Sequence, residues 1–248
     1  MKPLISVVMP VWNGLRAGPG YFRKAVFSLV HQDYEGPVEI ILVDDGSNDK
    51  SLESAREWAE QINAGWKSRR VVVAARPHEG VTHSLNHGIT LATGEFVARH
   101  DADDWSAESR FTKQIEFLTE NPDVAMVGSA VQVVHGPKVV EEVWYRASGL
   151  IPKKSFAKGS PLAHGSVMIR RSVLTEVNGY DAQFPHAQDY DLFWRIAKKH
   201  PIATIPDPLY FYRVHDRRVT SDRRRFRIQL DCATKIKRRI QRELKDQT

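Results

Sequence analysis

Three carboxylates lie within four positions of this chain, at Asp101, Asp103 and Asp104. They follow the apolar run 96–98, which is typical of a buried strand, and a strand end holds side chains rigidly. Carboxylates this close repel one another unless a cation lies among them. Mg²⁺ is usually bound by one or two carboxylates together with substrate phosphates. The cluster therefore indicates a site for a divalent cation and a phosphate-bearing ligand. The alternative is an acidic turn in which Asp104 or Ser106 caps the next helix.

The segments that precede the cluster alternate between strand-like and helix-like patterns. The predicted strands are 4–9, 38–43, 70–75 and 95–100, and the predicted helices are 21–31, 51–62 and 81–93. This alternation favours an α/β protein with a parallel sheet and helices on both faces. In such sheets ligands bind outside the carboxyl ends of the strands. One cleft is therefore expected to be lined by the loops at Trp12, Asp44-Asp45, Arg76 and 101–104.

The second half of the chain is less regular. Its patterns predict helices over 107–119 and 190–199, strands over 124–134, 139–145, 164–169 and 209–214, and an amphipathic helix from Arg223 onward.

Composition limits the class of protein. The 248 residues, 42% of them hydrophobic, suffice for one large domain or a domain with an extension. The net charge is +6, but residues 213–248 hold 13 Lys and Arg against 5 Asp and Glu, so the rest of the chain is slightly acidic. The single Cys232 excludes an intrachain disulfide and a cysteine-rich zinc site. With no membrane-spanning run and no signal-peptide pattern, a cytoplasmic protein is expected.

Five ordered segments carry a resemblance to a known family. They are Ser6-Val7-Val8-Met9-Pro10-Val11-Trp12-Asn13, Val43-Asp44-Asp45-Gly46-Ser47, Leu85-Asn86-His87-Gly88-Ile89 before Gly94-Glu95-Phe96, Asp101-Ala102-Asp103-Asp104, and Gln188-Asp189-Tyr190-Asp191-Leu192. In this order and spacing the chain resembles a family 2 glycosyltransferase with the GT-A fold. The resemblance covers about residues 4–215.

The resemblance implies a particular architecture. A single GT-A domain of the α/β class would occupy 1–215, with a Rossmann-like, mostly parallel central sheet and helices on both faces. Residues 1–104 would form its nucleotide-binding half and 105–215 its acceptor-binding half. A basic amphipathic helical tail, 216–248, would follow.

The resemblance also implies a reaction. The protein would transfer a sugar, with inversion, from a nucleotide-diphosphate donor to a hydroxyl of a glycan or lipid-linked acceptor, in surface polysaccharide biosynthesis. UDP is the default nucleotide. Mn²⁺ or Mg²⁺ would stabilise the charge that develops on the leaving diphosphate.

Residues of the first half match the family's donor site. Pro10, Trp12 and Asn13 match the first nucleotide-binding turn, where the indole of Trp12 can stack on the base. Asp44 matches the carboxylate that reads the base or ribose, and Asp45 is its neighbour.

The cation site and the loop at Arg76 complete the predicted donor side. Asp103 would be the more direct metal ligand, Asp101 would be an accessory at the metal, closer to the ribose or a metal-bound water, and His215 would help to hold metal or diphosphate. Arg76 could contact phosphate, or it is a solvated loop arginine.

The second half of the chain would supply the acceptor side. Asp189 matches the family's catalytic base, which must take the acceptor's proton from across the sugar; the alternative is a simple helix N-cap. Gln188 stands where the family usually has Glu, and it would line the acceptor site. His164 lies where the family lines the acceptor, or it is a hydrogen-bonded core histidine.

Two further expectations stay open at this level. The basic tail could lie on an anionic membrane surface, which would place the protein at the inner face of the membrane. Alternatively it packs its apolar stripe on the domain or on a second subunit, so an oligomer is not excluded. Nucleic acid is not expected as a partner, because the basic residues have little aromatic interleaving.

Rival functions come from three other classes. A nucleotidyltransferase needs a Gly-rich loop after the first strand, and residues 10–15 do not form one. A Rossmann dehydrogenase fails for lack of G-x-G-x-x-G. A non-catalytic sugar-nucleotide or glycan-binding protein on the same fold remains an alternative, and Gln188 favours it.

Overall fold

The computed structural model describes residues 1–18, 20–135, 138–145, 147–216 and 222–246. Of the predicted tail 216–248, residues 217–221 and 247–248 lie outside the described residues.

The first half of the chain alternates strands and helices as predicted. In chain order these are β1 (Ile5–Val11), α1 (Gly14–Ala17), α2 (Tyr21–Val30), β2 (Val38–Asp45), α3 (Ser51–Gly65), β3 (Arg69–Arg76), α4 (Val81–Leu91) and β4 (Phe96–Arg99). One boundary differs in a way that affects the site. Asp44 and Asp45 were expected in a polar loop, but they continue β2, because they pair with Ala75 and Arg76 of β3.

The second half contains shorter elements. They are β5 (Trp105–Ser106), α5 (Arg110–Glu120), β6 (Met126–His135), β7 (Lys138–Trp144), β8 (Gly149–Leu150), β9 (Met168–Arg170), α6 (Arg171–Glu176), α7 (Gln188–Lys199), β10 (Ile202–Val214) and α8 (Arg223–Lys245). The predicted strand over 164–169 is wrong in its first half, since His164–Ser166 is a 3₁₀ turn. The last strand is longer than predicted and begins at Ile202.

The described strands form one sheet with the order β3-β2-β1-β4-β9-β6-β10-β5. β3, β2, β1 and β4 are parallel, and so are β6 and β10. The predicted parallel arrangement therefore holds within these two groups. β9 joins them by pairing antiparallel with both β4 and β6. β7 pairs with β6, as the sequence predicts, although in the antiparallel sense.

Helices cover both faces of the sheet, as expected for strands that are buried on both sides. In β1, Ile5, Val7 and Met9 point into a core that is shared with α2, α3 and α5. Val8 points to the other face, where α4, α6, α7 and α8 pack. The protein is thus a single α/β domain with helices on both faces of a mixed sheet.

Strand register brings the predicted functional loops to one edge. Val11 lies beside Asp44, and Asp45 lies beside Arg76, so β1, β2 and β3 end together. β10 returns antiparallel to β5, with Phe211 opposite Trp105. The end of β10 is therefore held beside the acidic cluster, which immediately precedes β5.

The C-terminal helix α8 packs on the body of the protein. Ile236 and Ile240 have no exposed surface, and both belong to the core on the α7 face. The apolar stripe of α8 thus packs on the domain. Packing on the domain was one of the alternatives that the sequence left open for the tail. Within the described ranges, no helix is long and apolar enough to cross a membrane.

Candidate active site

The turn after β1 is built around Asn13. Its backbone has a φ of 52°, in the left-handed region that asparagine tolerates better than most residues. The Asn13 backbone N–H donates to Ser47 Oγ at 2.8 Å, and its Oδ1 accepts from the Asn48 backbone N–H at 2.9 Å. The residue that was predicted to bind nucleotide therefore also joins the turns that follow β1 and β2. Pro10 lies within β1, paired with Val43.

Trp12 presents an aromatic surface at the mouth of this turn. Its side chain is 40% exposed, and its ring stacks on His78 with centroids 4.7 Å apart. The guanidinium carbon of Arg225, from α8, lies 5.0 Å from the centre of the same ring. His78 and Arg225 already contact this ring, so a flat ligand ring would stack on the part of Trp12 that stays exposed or replace one of them.

Asp44 and Asp45 are both buried but differ in their partners. One oxygen of Asp44 accepts from the Ser47 backbone N–H at 3.0 Å, whereas the other, Oδ1, is buried with no hydrogen-bond partner. Asp45 accepts from the Glu79 and Gly80 backbone N–H groups and from Ser84 Oγ. A buried acceptor without a partner costs free energy unless a ligand supplies a donor. Asp44 thus has one acceptor oxygen that a ligand could use, whereas Asp45 caps the start of α4.

The loop after β3 is tied to the same edge. The Arg76 guanidinium pairs with Glu79, and the His78 Nδ1 lies 2.7 Å from Asp45 Oδ2. The predicted phosphate contact of Arg76 would therefore compete with an existing ion pair. The loop positions the His78 ring under Trp12.

In the acidic cluster, Asp101 and Asp103 are partly exposed, with 32% and 29% of their side chains accessible. Asp101 pairs with the buried guanidinium of Arg99. Asp103 Oδ2 lies 2.8 Å from His215 Nε2, at the end of β10. The structure therefore brings together the predicted metal-site residues Asp103 and His215, whose positions in the sequence are far apart.

Asp104 is buried, and both of its carboxylate oxygens accept hydrogen bonds from β10. It is 1% exposed, its Oδ1 accepts from the Arg213 backbone N–H at 2.7 Å, and its Oδ2 accepts from the Tyr210 hydroxyl at 2.7 Å. Burial, followed by the nearby charges of Asp103 and Asp101, raises the pKa of Asp104 well above its usual range. Its role is to bind β10 to the cluster rather than to face a ligand.

The cluster fits a cation that is shared with a ligand. In the part of the chain that the structure describes, no group of three or more His, Cys, Asp or Glu side chains is arranged to hold a metal ion. Asp103 and His215 nevertheless offer one carboxylate and one imidazole, with Asp101 adjacent. Mg²⁺ and its analogues often take only one or two protein carboxylates and complete their shell with phosphate oxygens and water.

Asp189 is the second residue of α7 and is half-buried. The helix begins after Ala187, whose φ of 57° is unusual for a residue with a Cβ and marks a constrained turn. Burial raises the pKa of Asp189, while the Tyr190 backbone N–H and the Arg99 guanidinium lower it and Asp101 raises it further. The charges of Arg99 and Asp101 therefore both bear on the pKa of Asp189.

The other predicted acceptor-side residues are enclosed. Gln188 is 7% exposed at the start of α7. His164 Nε2 lies 2.7 Å from the Tyr180 hydroxyl, and burial, then the charge of Arg99, lowers the pKa of His164 well below its usual value. His164 therefore fits the alternative of a hydrogen-bonded core histidine.

Three site residues escape sequence reasoning. Arg99 pairs with Asp101 and lowers the pKa of Asp189 by its charge, while Tyr210 and Arg213 bind Asp104 from β10. Arg99 had a usable signal, since an arginine inside a buried strand needs an anionic partner nearby. Tyr210 and Arg213 had none, because only the sheet register brings β10 to the cluster.

Fold and site together define a class: an α/β domain with an aromatic turn, a buried carboxylate that keeps one oxygen without a partner, and an acidic cluster at one sheet edge. The family model described as "Glycosyl transferase family 2" matches residues 6–177. The chain belongs to glycosyltransferase family 2, as the motifs indicate.

Curated relatives of the chain are also described as glycosyltransferases. EpsE of Bacillus subtilis, described as a glycosyltransferase, is 31% identical over 199 residues, which is 78% of this chain and 66% of EpsE. AmsE of Erwinia amylovora, described as an amylovoran biosynthesis glycosyltransferase, is 29% identical and covers 83% of this chain and 74% of AmsE. The chain thus spans about two thirds to three quarters of the length of these relatives.

Solved structures share the fold. TarS of S. aureus, in a complex with UDP, has a TM-score of 0.69 at 19% identity and covers 86% of this chain and 61% of that one. The mannosyltransferase PcManGT of Pyrobaculum calidifontis, with GDP-Man and Mn²⁺, has a TM-score of 0.66 at 23% identity, covering 88% and 59%.

The neighbouring carboxylates of β2 should separate ligand binding from stability. We expect Asp45→Ala to lower the free energy of unfolding by about 1–3 kcal/mol, because it leaves the Glu79 and Gly80 backbone N–H groups just before α4, and the Ser84 hydroxyl within it, without their acceptor. Asp44→Asn should leave stability within about 0.5 kcal/mol and weaken binding of UDP at least tenfold. Urea unfolding and calorimetric titration measure the two effects. The reverse pattern would show that the roles of Asp44 and Asp45 are exchanged.

Proposed function

We propose that the chain is an inverting, metal-dependent glycosyltransferase that moves a sugar from a nucleotide-diphosphate donor to a hydroxyl of a glycan or lipid-linked acceptor. The observation that carries this proposal is the contact between Asp103 and His215 beside Asp101, at the sheet edge where the turn of Trp12 and the partnerless Oδ1 of Asp44 also lie. The charges of Arg99 and Asp101 also act on the pKa of Asp189, which supports its place on the far side of the same site. A transferase needs its base and its leaving-group site on opposite sides of one sugar. Residues 1–104 and 105–215 would provide these two sides.

The donor would occupy the edge formed by β1, β2 and β4. The exposed ring of Trp12 would stack on the base, and the partnerless Oδ1 of Asp44 would accept a hydrogen bond from the base or ribose. UDP is our default nucleotide, and complexes of similarly folded proteins contain UDP, UDP-GlcNAc or GDP-Man. The relatives of polysaccharide biosynthesis suggest a surface glycan as the acceptor.

Asp103 and His215 would hold a divalent cation, with Asp101 beside the ribose. Such a cation supplies positive charge where the diphosphate leaving group becomes more negative. The protein prepares this place by holding Asp103 against β10 and by balancing Asp101 with Arg99.

Asp189 would accept the proton of the acceptor hydroxyl as that oxygen attacks the sugar carbon opposite the diphosphate. Its raised pKa makes it a stronger base than an ordinary aspartate, and proton removal by a positioned carboxylate typically contributes 10²–10⁴-fold to the rate. The alternative function is a non-catalytic sugar-nucleotide-binding protein. It is favoured by Gln188, which takes the place of the family's usual acid.

Asp189→Asn decides between these functions. We expect release of nucleoside diphosphate to fall at least about 100-fold, because the amide cannot take a proton, while donor affinity changes little. For the wild type, kcat/KM should decline on its acidic side at a higher pH than an ordinary aspartate would give, since burial raises the pKa of Asp189.

Asp123→Asn, at an exposed turn, serves as the control and should retain full activity. Turnover by Asp189→Asn at the wild-type rate would refute the assignment of the base. A wild-type protein that binds donors without any turnover would favour the non-catalytic alternative.

Metal dependence has its own test. We expect UDP-GlcNAc or GDP-mannose to bind at least tenfold more tightly with Mn²⁺ than with a chelator, and we expect Asp103→Asn to abolish this difference. Calorimetric titration of a panel of nucleotide sugars measures it and identifies the donor as well. Equal affinities with Mn²⁺ and with chelator in the wild type would contradict the proposed metal.

The first half of α8 would contact an anionic membrane surface. Phe226 and Leu230 are 43% and 50% exposed, and Arg223, Arg224 and Arg227 are exposed around them. This combination of apolar and basic side chains suits the headgroup region of a bilayer. A lipid-linked acceptor would then lie close to the cleft, because Arg225 of the same segment contacts Trp12.

Vesicle sedimentation tests the membrane contact. We expect the protein to bind vesicles that contain phosphatidylglycerol more strongly than pure phosphatidylcholine vesicles, and Phe226→Ser with Leu230→Ser to reduce binding at least tenfold. Leu91→Ser, at an exposed leucine of α4, is the matched control. Binding that does not depend on Phe226 and Leu230 would refute this surface.

A further inference from the structure

The helix that bears Asp189, α7, is bound to the C-terminal helix α8 by side-chain contacts. Asp191 of α7 has no exposed surface, although it is a carboxylate. Its Oδ2 lies 2.7 Å from Arg195 Nε, one turn along α7, and its Oδ1 lies 2.5 Å from Arg239 Nη2 of α8. We call these three residues the Asp191 cluster. Each carboxylate oxygen therefore has a guanidinium from a different helix.

The Asp191 cluster lies on the opposite side of α7 from Asp189. Successive residues of an α-helix are rotated by about 100°, so positions two apart point about 200° from each other. Asp191 faces α8, so Asp189 lies on the side of α7 that points away from α8. A change in how α7 packs on α8 would therefore shift the carboxylate of Asp189 as well.

Further contacts fix both partners of Asp191. Arg195 also donates to the Val177 and Gly179 backbone oxygens at 2.5 and 2.7 Å, which joins α7 to the segment after α6. The indole N–H of Trp194 donates to Glu243 Oε2 of α8 at 2.9 Å. Within the Asp191 cluster, Arg195 thus attaches α7 to the segment after α6, whereas Arg239 attaches α7 to α8.

We propose that Arg239 of the C-terminal helix is a positioning residue for catalysis, which acts through the buried carboxylate of Asp191 to hold α7 and its Asp189 in place. The inference rests on the proposed function, because it takes Asp189 as the base. It makes α8 part of the catalytic apparatus rather than an appendage that follows the domain.

The physical reason is the cost of a buried carboxylate oxygen without a donor. Without Arg239, Arg195 still pairs with Oδ2 of Asp191, but Oδ1 is left buried without a hydrogen-bond donor, and the structure must move to solvate it. Here the movement would open the contact between α7 and α8. A displacement of about 1 Å at a catalytic group is enough to reduce a rate on the order of 100-fold.

Arg239→Met tests the proposal, with Arg238→Met as the matched control, because Arg238 is exposed on the same helix. We expect Arg239→Met to lower kcat for nucleoside diphosphate release about 10- to 100-fold with KM for the donor changed less than about threefold. The donor is UDP-GlcNAc, or GDP-mannose if the calorimetric panel selects it. Arg239→Lys should recover part of kcat, since it keeps the charge but not the planar fork.

Hydrogen exchange measures the position of α7 without any substrate. Backbone amides of residues 188–192 should exchange faster in Arg239→Met than in the wild type or Arg238→Met. Adding Asp191→Asn to Arg239→Met should change this exchange less than Asp191→Asn does in the wild type, because the two residues act through one contact. A merely stabilising contact would lower the melting temperature and leave kcat at temperatures where the variant is folded.

The outcomes separate this proposal from the proposed function. Unchanged exchange at residues 188–192 in Arg239→Met overturns the positioning role whatever the activity. An unchanged kcat of Arg239→Met, when Asp189→Asn is inactive, overturns it as well. Full turnover by Asp189→Asn instead refutes the base assignment, and the positioning role fails with it.

Discussion

The site depends on how four charged or polar groups balance the carboxylates after β4. Asp101, Asp103 and Asp104 follow one another so closely that they would repel without compensation. Arg99 lies against Asp101, His215 against Asp103, and Tyr210 and the Arg213 backbone N–H against Asp104. Two of these partners, Tyr210 and Arg213, lie in β10, and a third, His215, directly follows it. The antiparallel return of β10 along β5 is therefore a condition for the acidic cluster to exist as a site.

The need to balance each carboxylate also explains why some carboxylates hold elements together and others keep an oxygen for a ligand. Those with complete sets of protein partners, Asp45, Asp104 and Asp191, are buried and hold elements together. Asp44 has a partnerless oxygen, and Asp101, Asp103 and Asp189 are partly accessible. Burial alone does not distinguish the two kinds, since Asp44 is as buried as Asp45. The number of hydrogen-bond donors from the protein does, because a carboxylate that lacks them needs a ligand to supply them.

Sequence reasoning located most of the elements and most of the candidate site. The alternation of apolar runs predicted the strands and helices of the first half, and the ordered motifs identified the family. It misjudged Asp45, which reads as a ligand-binding neighbour of Asp44 but has its oxygens occupied by the start of α4. It also placed a strand at His164, where a 3₁₀ turn holds the imidazole against Tyr180. Both errors concern residues whose partners lie far along the chain.

What the sequence determined by itself was the class of fold, the family, and the segments that carry chemistry, because periodicity and short motifs are local properties. Only the tertiary structure decided which carboxylates keep an oxygen for a ligand and which have both oxygens hydrogen-bonded within the protein. It also decided that the basic C-terminal segment packs on α7 through Ile236, Ile240 and Arg239 instead of extending from the domain. The reason is physical: a carboxylate's availability depends on donors that strand register and helix packing bring to it, and these are long-range.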